Sequence, residues 1–217
     1  MSNRSKHILR GIRGALTRNV LYYNPVLTWA LGICTIVAAA TTLQNGWILS
    51  QVFAMTMIPV CVLSGAFGGR IPRYLRAAAV PLLSALFYTA AILILRQKYG
   101  DWTTLFRYFL PLIAVNSLIL SRGVRYAPRQ SVLVALLDSV TCAIGFGATA
   151  CTVGLVRGML ADGLLMGKQI HMAGVPFFGF LVLGFLAALA RAGRLYYEKR
   201  AKAARLYAEK RKRGGAS

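Results

Sequence analysis

Acidic residues are scarce in this 217-residue chain, which has 5 Asp and Glu against 26 Lys and Arg. Charged residues of both signs make up 14% of the sequence, below the roughly 25% that is usual in soluble domains. Hydrophobic residues make up 57%, and the formal net charge is +21. A chain this apolar and this basic must keep its charges apart from its apolar residues. The composition therefore excludes an ordinary soluble domain.

Motifs typical of soluble active sites are also missing. The two histidines, His7 and His171, lie in different connecting segments, and no two of the four cysteines form a C-x-x-C pair. The sequence has no phosphate-binding glycine loop and no nucleophile elbow. Its basic residues lie between apolar stretches instead of forming one patch, which disfavours a nucleic-acid-binding protein.

Six apolar stretches are long enough for membrane helices, since a bilayer requires about 17 to 25 apolar residues per helix. None alternates apolar and polar residues with period two, which argues against strands. The sequence therefore predicts an all-α integral membrane protein with six transmembrane helices. A cytoplasmic N-terminal arm (1–24) and a basic C-terminal tail (191–217) flank the membrane domain (25–190). The predicted spans are 25–43, 47–67, 74–95, 105–121, 131–156 and 174–190.

The basic residues are divided unevenly between the two sides of this arrangement. The side with both termini has 21 Lys and Arg, and the other side has 5. The positive-inside rule then places both termini in the cytoplasm, and the two terminal segments decide this orientation. The tail mixes Leu and Tyr with Lys and Arg, which predicts a helical extension of the last span held at anionic lipid headgroups. A charge run alone does not support binding to nucleic acid.

Asp138 is the only acidic residue within a predicted span, and it lies about two turns from the cytoplasmic end of the fifth. A carboxylate in this setting is a candidate for ion or proton handling. The alternative is an ion pair near the interface with a basic residue of the adjacent loop, such as Arg125 or Arg129. The same span is rich in Gly and Ala, which indicates close packing between helices.

All four cysteines lie in apolar spans, where a cysteine most often behaves as a small hydrophobic residue. Cys34 differs from Cys61, Cys142 and Cys151 because it follows Gly32 in the middle of the first span. A glycine there permits a distorted backbone or a close approach of another segment.

Two segments, LGIC at 31–34 and PLIAVNS at 111–117, resemble the six-span subunits shared by Rnf complexes and sodium-pumping NADH:quinone reductases (Nqr). The similarity is to the E subunit of Rnf and the D subunit of Nqr. It covers most of residues 20–190 and includes ALLD at 135–138, GFGAT at 145–149 and VPFFGF at 175–180.

This resemblance implies an inverted repeat of three helices, with the first and fourth helices broken. It also implies pairing with a homologous membrane subunit of opposite topology, the A type of Rnf. In this family each broken helix supplies one cysteine to a [2Fe-2S] cluster at the membrane midplane, between the two subunits; thiolates are the usual ligands of such clusters.

Two positions of this chain depart from the family pattern. Cys34 matches the first cluster ligand, but Ser117 occupies the second position, and Thr35 follows Cys34 where the family usually has proline. Ser117 could bind through its oxygen, another cysteine could substitute, or the cluster could be altered or lost.

The resemblance implies a membrane subunit of an ion-translocating electron-transport complex in the bacterial cytoplasmic membrane. It would carry electrons from ferredoxin or NADH, through the buried cluster, to flavins on other Rnf or Nqr subunits. The subunit would belong to a redox-driven translocase without being catalytic alone. Two alternatives are a small inverted-repeat permease, which the missing second cysteine favours, and a scaffold subunit without a redox role.

Overall fold

The computed structural model describes residues 24–99, 109–162 and 175–214. Within these ranges the chain is built of helices and turns and contains no strand, as the sequence predicts. We number the α-helices of this part of the chain in order. They are α1 Pro25–Trp29, α2 Ile33–Ala39, α3 Leu43–Phe67, α4 Arg73–Tyr99, α5 Ser117–Leu120, α6 Val132–Ala161 and α7 Pro176–Gly214.

Four helices of the described ranges are long and apolar enough to cross a membrane. These candidate spans are Leu43–Arg70, Arg73–Gln97, Val132–Ala161 and Pro176–Lys199. They coincide with the second, third, fifth and sixth predicted spans, so four of the six have counterparts of spanning length. The prediction of six spans is thus confirmed for these four only.

The other two predicted spans are interrupted in the structure. In the first, α1 and α2 are separated by a turn in which Ala30 and Gly32 have positive φ values of 55° and 78°. In the described part of the fourth, a 3-10 turn (Leu110–Ile113) leads through Asn116 to the short helix α5. A π-helical turn, Ser121–Tyr126, then continues α5. Both interruptions lie where the family resemblance implies broken helices.

Helices α3 and α6 form the centre of the bundle. A side chain at Gly46 of α3 would lie 2.6 Å from the carbonyl oxygen of Ala150 in α6, so the two backbones approach closely. The rings of Phe53 and Phe146 stack between the same helices, with centroids 3.8 Å apart. The small residues of the fifth predicted span therefore serve close packing, as expected. Helices α4 and α7 are largely exposed on the outside of the bundle.

Arg157 is placed differently from the sequence-based prediction, which put it in a loop after a span ending at 156. The structure extends α6 to Ala161 and buries Arg157 completely. Backbone carbonyl groups of neighbouring segments accept hydrogen bonds from its guanidinium, which explains how a charged side chain can occupy this position.

Candidate functional site

The interruptions of the first and fourth segments touch each other. Gly32 is buried at the start of α2, and a Cβ atom on it would lie 3.0 Å from Oδ1 of Asn116, at the start of α5. Its φ of 78° belongs to the left-handed region that favours glycine. The sequence-based expectation of a distorted backbone with a close approach at Gly32 is therefore confirmed.

Hydrogen bonds join the first turns of α2 and α5. The Gly32 N–H donates to Oγ of Ser117 at 2.9 Å, and Nδ2 of Asn116 donates to Oγ1 of Thr35 at 3.0 Å. Thr35 Oγ1 in turn donates to the Gly32 carbonyl at 2.9 Å. Asn116 also caps α5, because its Oδ1 accepts the Leu118 N–H at 2.9 Å. These bonds satisfy backbone groups that a broken helix would otherwise leave unpaired in hydrocarbon.

Cys34 and Ser117 lie on the exposed side of this junction. Cys34 is the second residue of α2 and Ser117 is the first residue of α5, and both side chains are exposed on the isolated chain. Their neighbours Thr35 and Leu118 are buried. The fold thus brings together two positions that are more than eighty residues apart in sequence, and presents both outward.

The junction supplies only some of the ligands that a metal site requires. Among the residues that the structure describes, no group of three or more His, Cys, Asp and Glu side chains is arranged to hold a metal ion. Cys34 contributes one thiol and Ser117 one hydroxyl, whereas an iron–sulfur cluster usually takes four thiolates. The junction thus supplies one of the four thiolates and, at Ser117, an oxygen that is a harder donor.

Asn24 fixes the first half-helix in place, a role that the sequence did not reveal. Its Oδ1 caps α1 by accepting the Val26 N–H at 3.0 Å, as its position before Pro25 predicts. Its Nδ2 donates to the Gly145 carbonyl at 2.8 Å and to Thr149 Oγ1 at 3.0 Å, both in α6. The GFGAT segment therefore holds α1 through a buried polar contact.

Asp138 pairs with a basic residue, as one sequence-based interpretation expected, but the partner is different. Its Oδ1 lies 3.3 Å from Nη1 of Arg122, and both side chains are mostly buried. Arg122 belongs to the same basic segment as Arg125 and Arg129, so the expected ion pair is confirmed with another residue of that segment. The Arg122 guanidinium also lies over the Tyr126 ring, 5.1 Å from its centroid. The thiol of Cys142 approaches Asp138 Oδ2 at 4.0 Å.

The remaining cysteines lie away from the junction. Cys61 and Cys142 are buried, and Cys151 is half-buried beside the Ser50 hydroxyl, with 3.9 Å between Sγ and Oγ. None of them shares a hydrogen bond with the two helix breaks in the described part of the structure. His7 and His171 lie outside the described residues.

The chain is similar to known proteins over most of its length. A family model described as "Rnf-Nqr subunit, membrane protein" matches residues 12–187. The E subunit of the Na⁺-translocating ferredoxin:NAD⁺ oxidoreductase complex of Acetobacterium woodii is 27% identical over 182 residues, which cover 80% of this chain and 93% of the relative.

Two further relatives are each named as the E subunit of an ion-translocating oxidoreductase complex. The Shewanella piezotolerans protein is 30% identical over 143 residues, covering 65% of this chain and 62% of the relative. The Shewanella loihica protein is 29% identical over 188 residues, covering 76% and 81%. These matches confirm the resemblance inferred from the sequence, and the chain, a multi-pass membrane protein, belongs to the Rnf-Nqr subunit family.

Proposed function

We propose that this chain is the E subunit of a bacterial ion-translocating electron-transport complex of the Rnf type. The proposal is supported by the family match and by relatives that carry this subunit name. The interrupted first and fourth segments give further support, because broken helices at membrane depth are tolerated where they line a functional site. The chain would act as one subunit of a redox-driven translocase and would not be catalytic alone.

The observation that carries the proposal is the junction of the two helix breaks, where Cys34 in the first turn of α2 and Ser117 in the first turn of α5 are both exposed. We assign to this surface half of the binding site for a [2Fe-2S] cluster that is shared with a homologous subunit of inverted topology. Such a cluster supplies one-electron transfer when it is bound. The Cys34 thiolate would bind iron, and the Ser117 oxygen would be a harder and weaker ligand beside it.

The residues around the junction position these two ligands. Asn116 caps α5 and holds Thr35, while Gly32 allows the two first turns to approach within hydrogen-bonding distance. The Gly32 N–H is bonded to Ser117 Oγ, so it holds the hydroxyl at a fixed place in the junction.

The cytoplasmic side of the protein would contain the other functional groups. Asp138, paired with Arg122, is the candidate for cation or proton handling, because it is the only acidic residue of a predicted span and such residues often line ion or proton pathways. By the positive-inside rule, both termini would lie on the cytoplasmic side of a bacterial inner membrane. The basic tail would bind anionic lipids there. Other Rnf or Nqr subunits would deliver and accept the electrons.

Three variants of the purified complex test the cluster. Cys34→Ala should abolish or degrade the electron paramagnetic resonance signal of the reduced cluster and stop electron transfer, with the complex still assembled. Ser117→Cys should bind the cluster more firmly and change its potential, and Ser117→Ala should loosen it. Cys61→Ala, a buried cysteine away from the junction, is the matched control. Signals identical to wild type in all three variants would refute the assignment.

A permease is the second candidate function, and it is favoured by one observation. The second cluster position is a serine whose oxygen accepts a hydrogen bond within the fold, and transporters also use broken helices near the midplane. Iron analysis of the complex separates the alternatives: absence of iron that depends on Cys34 would favour the permease, or a scaffold subunit that has no redox role.

A further inference from the structure

Arg157 binds the carboxyl end of the half-helix that contains Cys34. Its side chain is completely buried. Nη1 donates to the carbonyl oxygens of Val37 at 2.7 Å and Ala40 at 3.2 Å, and Nη2 donates to the carbonyl of Val175 at 3.3 Å. One guanidinium on α6 thus connects the end of α2 with the residue that precedes α7.

These carbonyl groups require an external donor. The last four carbonyls of an α-helix have no partner within the helix, and α2 has only seven residues. Val37 and Ala40 are buried inside the protein, so solvent does not reach these carbonyl groups and a protein donor must bind them. A cation at a helix carboxyl end is also favoured by the partial negative charge there. Arg157 therefore supplies what this short helix cannot supply by itself.

Helix α7 packs directly against the Arg157 guanidinium. Gly179 is buried, and a Cβ atom on it would lie 3.1 Å from Nη1 of Arg157 and 3.2 Å from the Val37 carbonyl oxygen. The absence of a side chain at Gly179 lets α7 cross directly over the hydrogen bond between Arg157 and Val37. A methyl group at this position would press on both of its partners.

The two ends of α2 are consequently held by different parts of the protein. The amino end is bonded to Ser117 and Asn116, and the carboxyl end is bonded to Arg157. Val37 follows Cys34 by three residues, so the carbonyl that Arg157 binds lies about one turn further along the same short helix. A helix this short is not stable alone, so the place of Cys34 depends on both attachments.

We propose that Arg157 is a positioning residue, which holds α2 so that the Cys34 thiol stays at the junction surface. The functional importance of Cys34 rests on the proposed function. The contacts of Arg157 with α2 do not depend on a cluster. The proposal predicts that substitution of Arg157 changes the accessibility of Cys34 more than it changes the stability of the rest of the bundle.

The test measures how fast N-ethylmaleimide alkylates each cysteine in the assembled complex, with mass spectrometry locating the label. In the complex the partner subunit of the proposed function would cover Cys34, and Arg157→Gln should raise its rate of alkylation by about tenfold or more, a change that equals about 1.4 kcal/mol in the equilibrium that exposes it. Arg157→Lys should restore part of the protection, because an ammonium group can bond one or two carbonyls but lacks the planar fork. Gly179→Ala keeps the arginine but displaces it, and should raise the same rate by a smaller factor.

Val60→Ala is the matched control, since Val60 is completely buried in α3 and its truncation destabilises the bundle while leaving the bonds of Arg157 in place. It should leave the rate at Cys34 within about twofold of wild type. The rate at the buried Cys61 reports global opening. The proposal is overturned if Arg157→Gln and Gly179→Ala leave the Cys34 rate unchanged, or if Cys61 and Cys34 rise together.

Iron content and the midpoint potential of the cluster signal, measured on the same samples, keep the two hypotheses apart. A shifted potential in Arg157→Gln and an unshifted one in Val60→Ala would support positioning of a cluster ligand. If the wild-type complex lacks iron and Arg157→Gln still speeds the alkylation of Cys34, the role of Arg157 is retained and the proposed redox function is refuted.

Discussion

Replacing Gly32 by alanine should damage the junction more than any other single-methyl addition in the first segment. The residue has a φ of 78°, a left-handed conformation that costs an alanine about 1–2 kcal/mol. The added Cβ would also lie 3.0 Å from Asn116 Oδ1 and 3.3 Å from a ring carbon of Phe146. Asn116 cannot turn aside without losing its bonds to Leu118 and Thr35.

Overpacking of this kind costs about 1–3 kcal/mol. Together with the backbone strain, it predicts that Gly32→Ala lowers the free energy of unfolding by about 2–5 kcal/mol. The loss can be measured by unfolding the protein from detergent micelles with increasing SDS, followed by circular dichroism. Gly184→Ala is the matched control, because a Cβ added at Gly184, inside α7, would have no neighbouring segment within 4 Å. That substitution should be neutral or stabilising by up to about 1 kcal/mol. Equal effects of the two substitutions would refute the proposed strain and contact at Gly32.

Three further predictions concern the ion pair, the topology and the tail. A double-mutant cycle with Arg122→Gln and Asp138→Asn should give a coupling energy of about 1 kcal/mol in the same unfolding assay, and a value near zero would show that the pair does not stabilise the protein. Single cysteines at Asn45 and Ser217, in a background without other cysteines, should be labelled by an impermeant maleimide on intact cells at position 45 only; the reverse result would overturn the orientation. Truncation after Tyr197 should leave membrane insertion intact and weaken binding to anionic vesicles, whereas loss of insertion would show that the tail is structural.

The sequence predicted the long helices well because hydrocarbon imposes a simple pattern on them. The stretches at 47–67, 74–95, 131–156 and 174–190 each lie within or largely overlap a helix of spanning length. Beyond the last predicted span, α7 runs on through the basic tail to Gly214. That extension agrees with the expected helical continuation of the last span.

Side-chain partners were harder to predict because they depend on how separate segments approach each other. A one-dimensional pattern identified Asp138 as unusual and a basic residue of the adjacent segment as its partner, but it could not select Arg122 among the three arginines there, because that choice depends on how the two segments pack. Arg157 was assigned to a loop because the apolar stretch of the fifth predicted span ends at position 156. Its carbonyl acceptors come from segments more than a hundred residues earlier and eighteen residues later. No local signal in the sequence identifies such a set.

The two departures from the family pattern, Thr35 and Ser117, have a common physical consequence. Both are hydroxyl residues, and both hydroxyls form hydrogen bonds across the junction: Thr35 accepts from Asn116, and Ser117 accepts from the Gly32 N–H. A proline at position 35 has no hydroxyl, and a thiol at position 117 is a weak acceptor. In this chain the two half-helices are therefore joined by their own side chains, whether or not a metal group bridges them. It follows that Ser117→Cys exchanges a fold-stabilising hydrogen bond for a softer ligand, so its effects on unfolding and on cluster retention should have opposite signs.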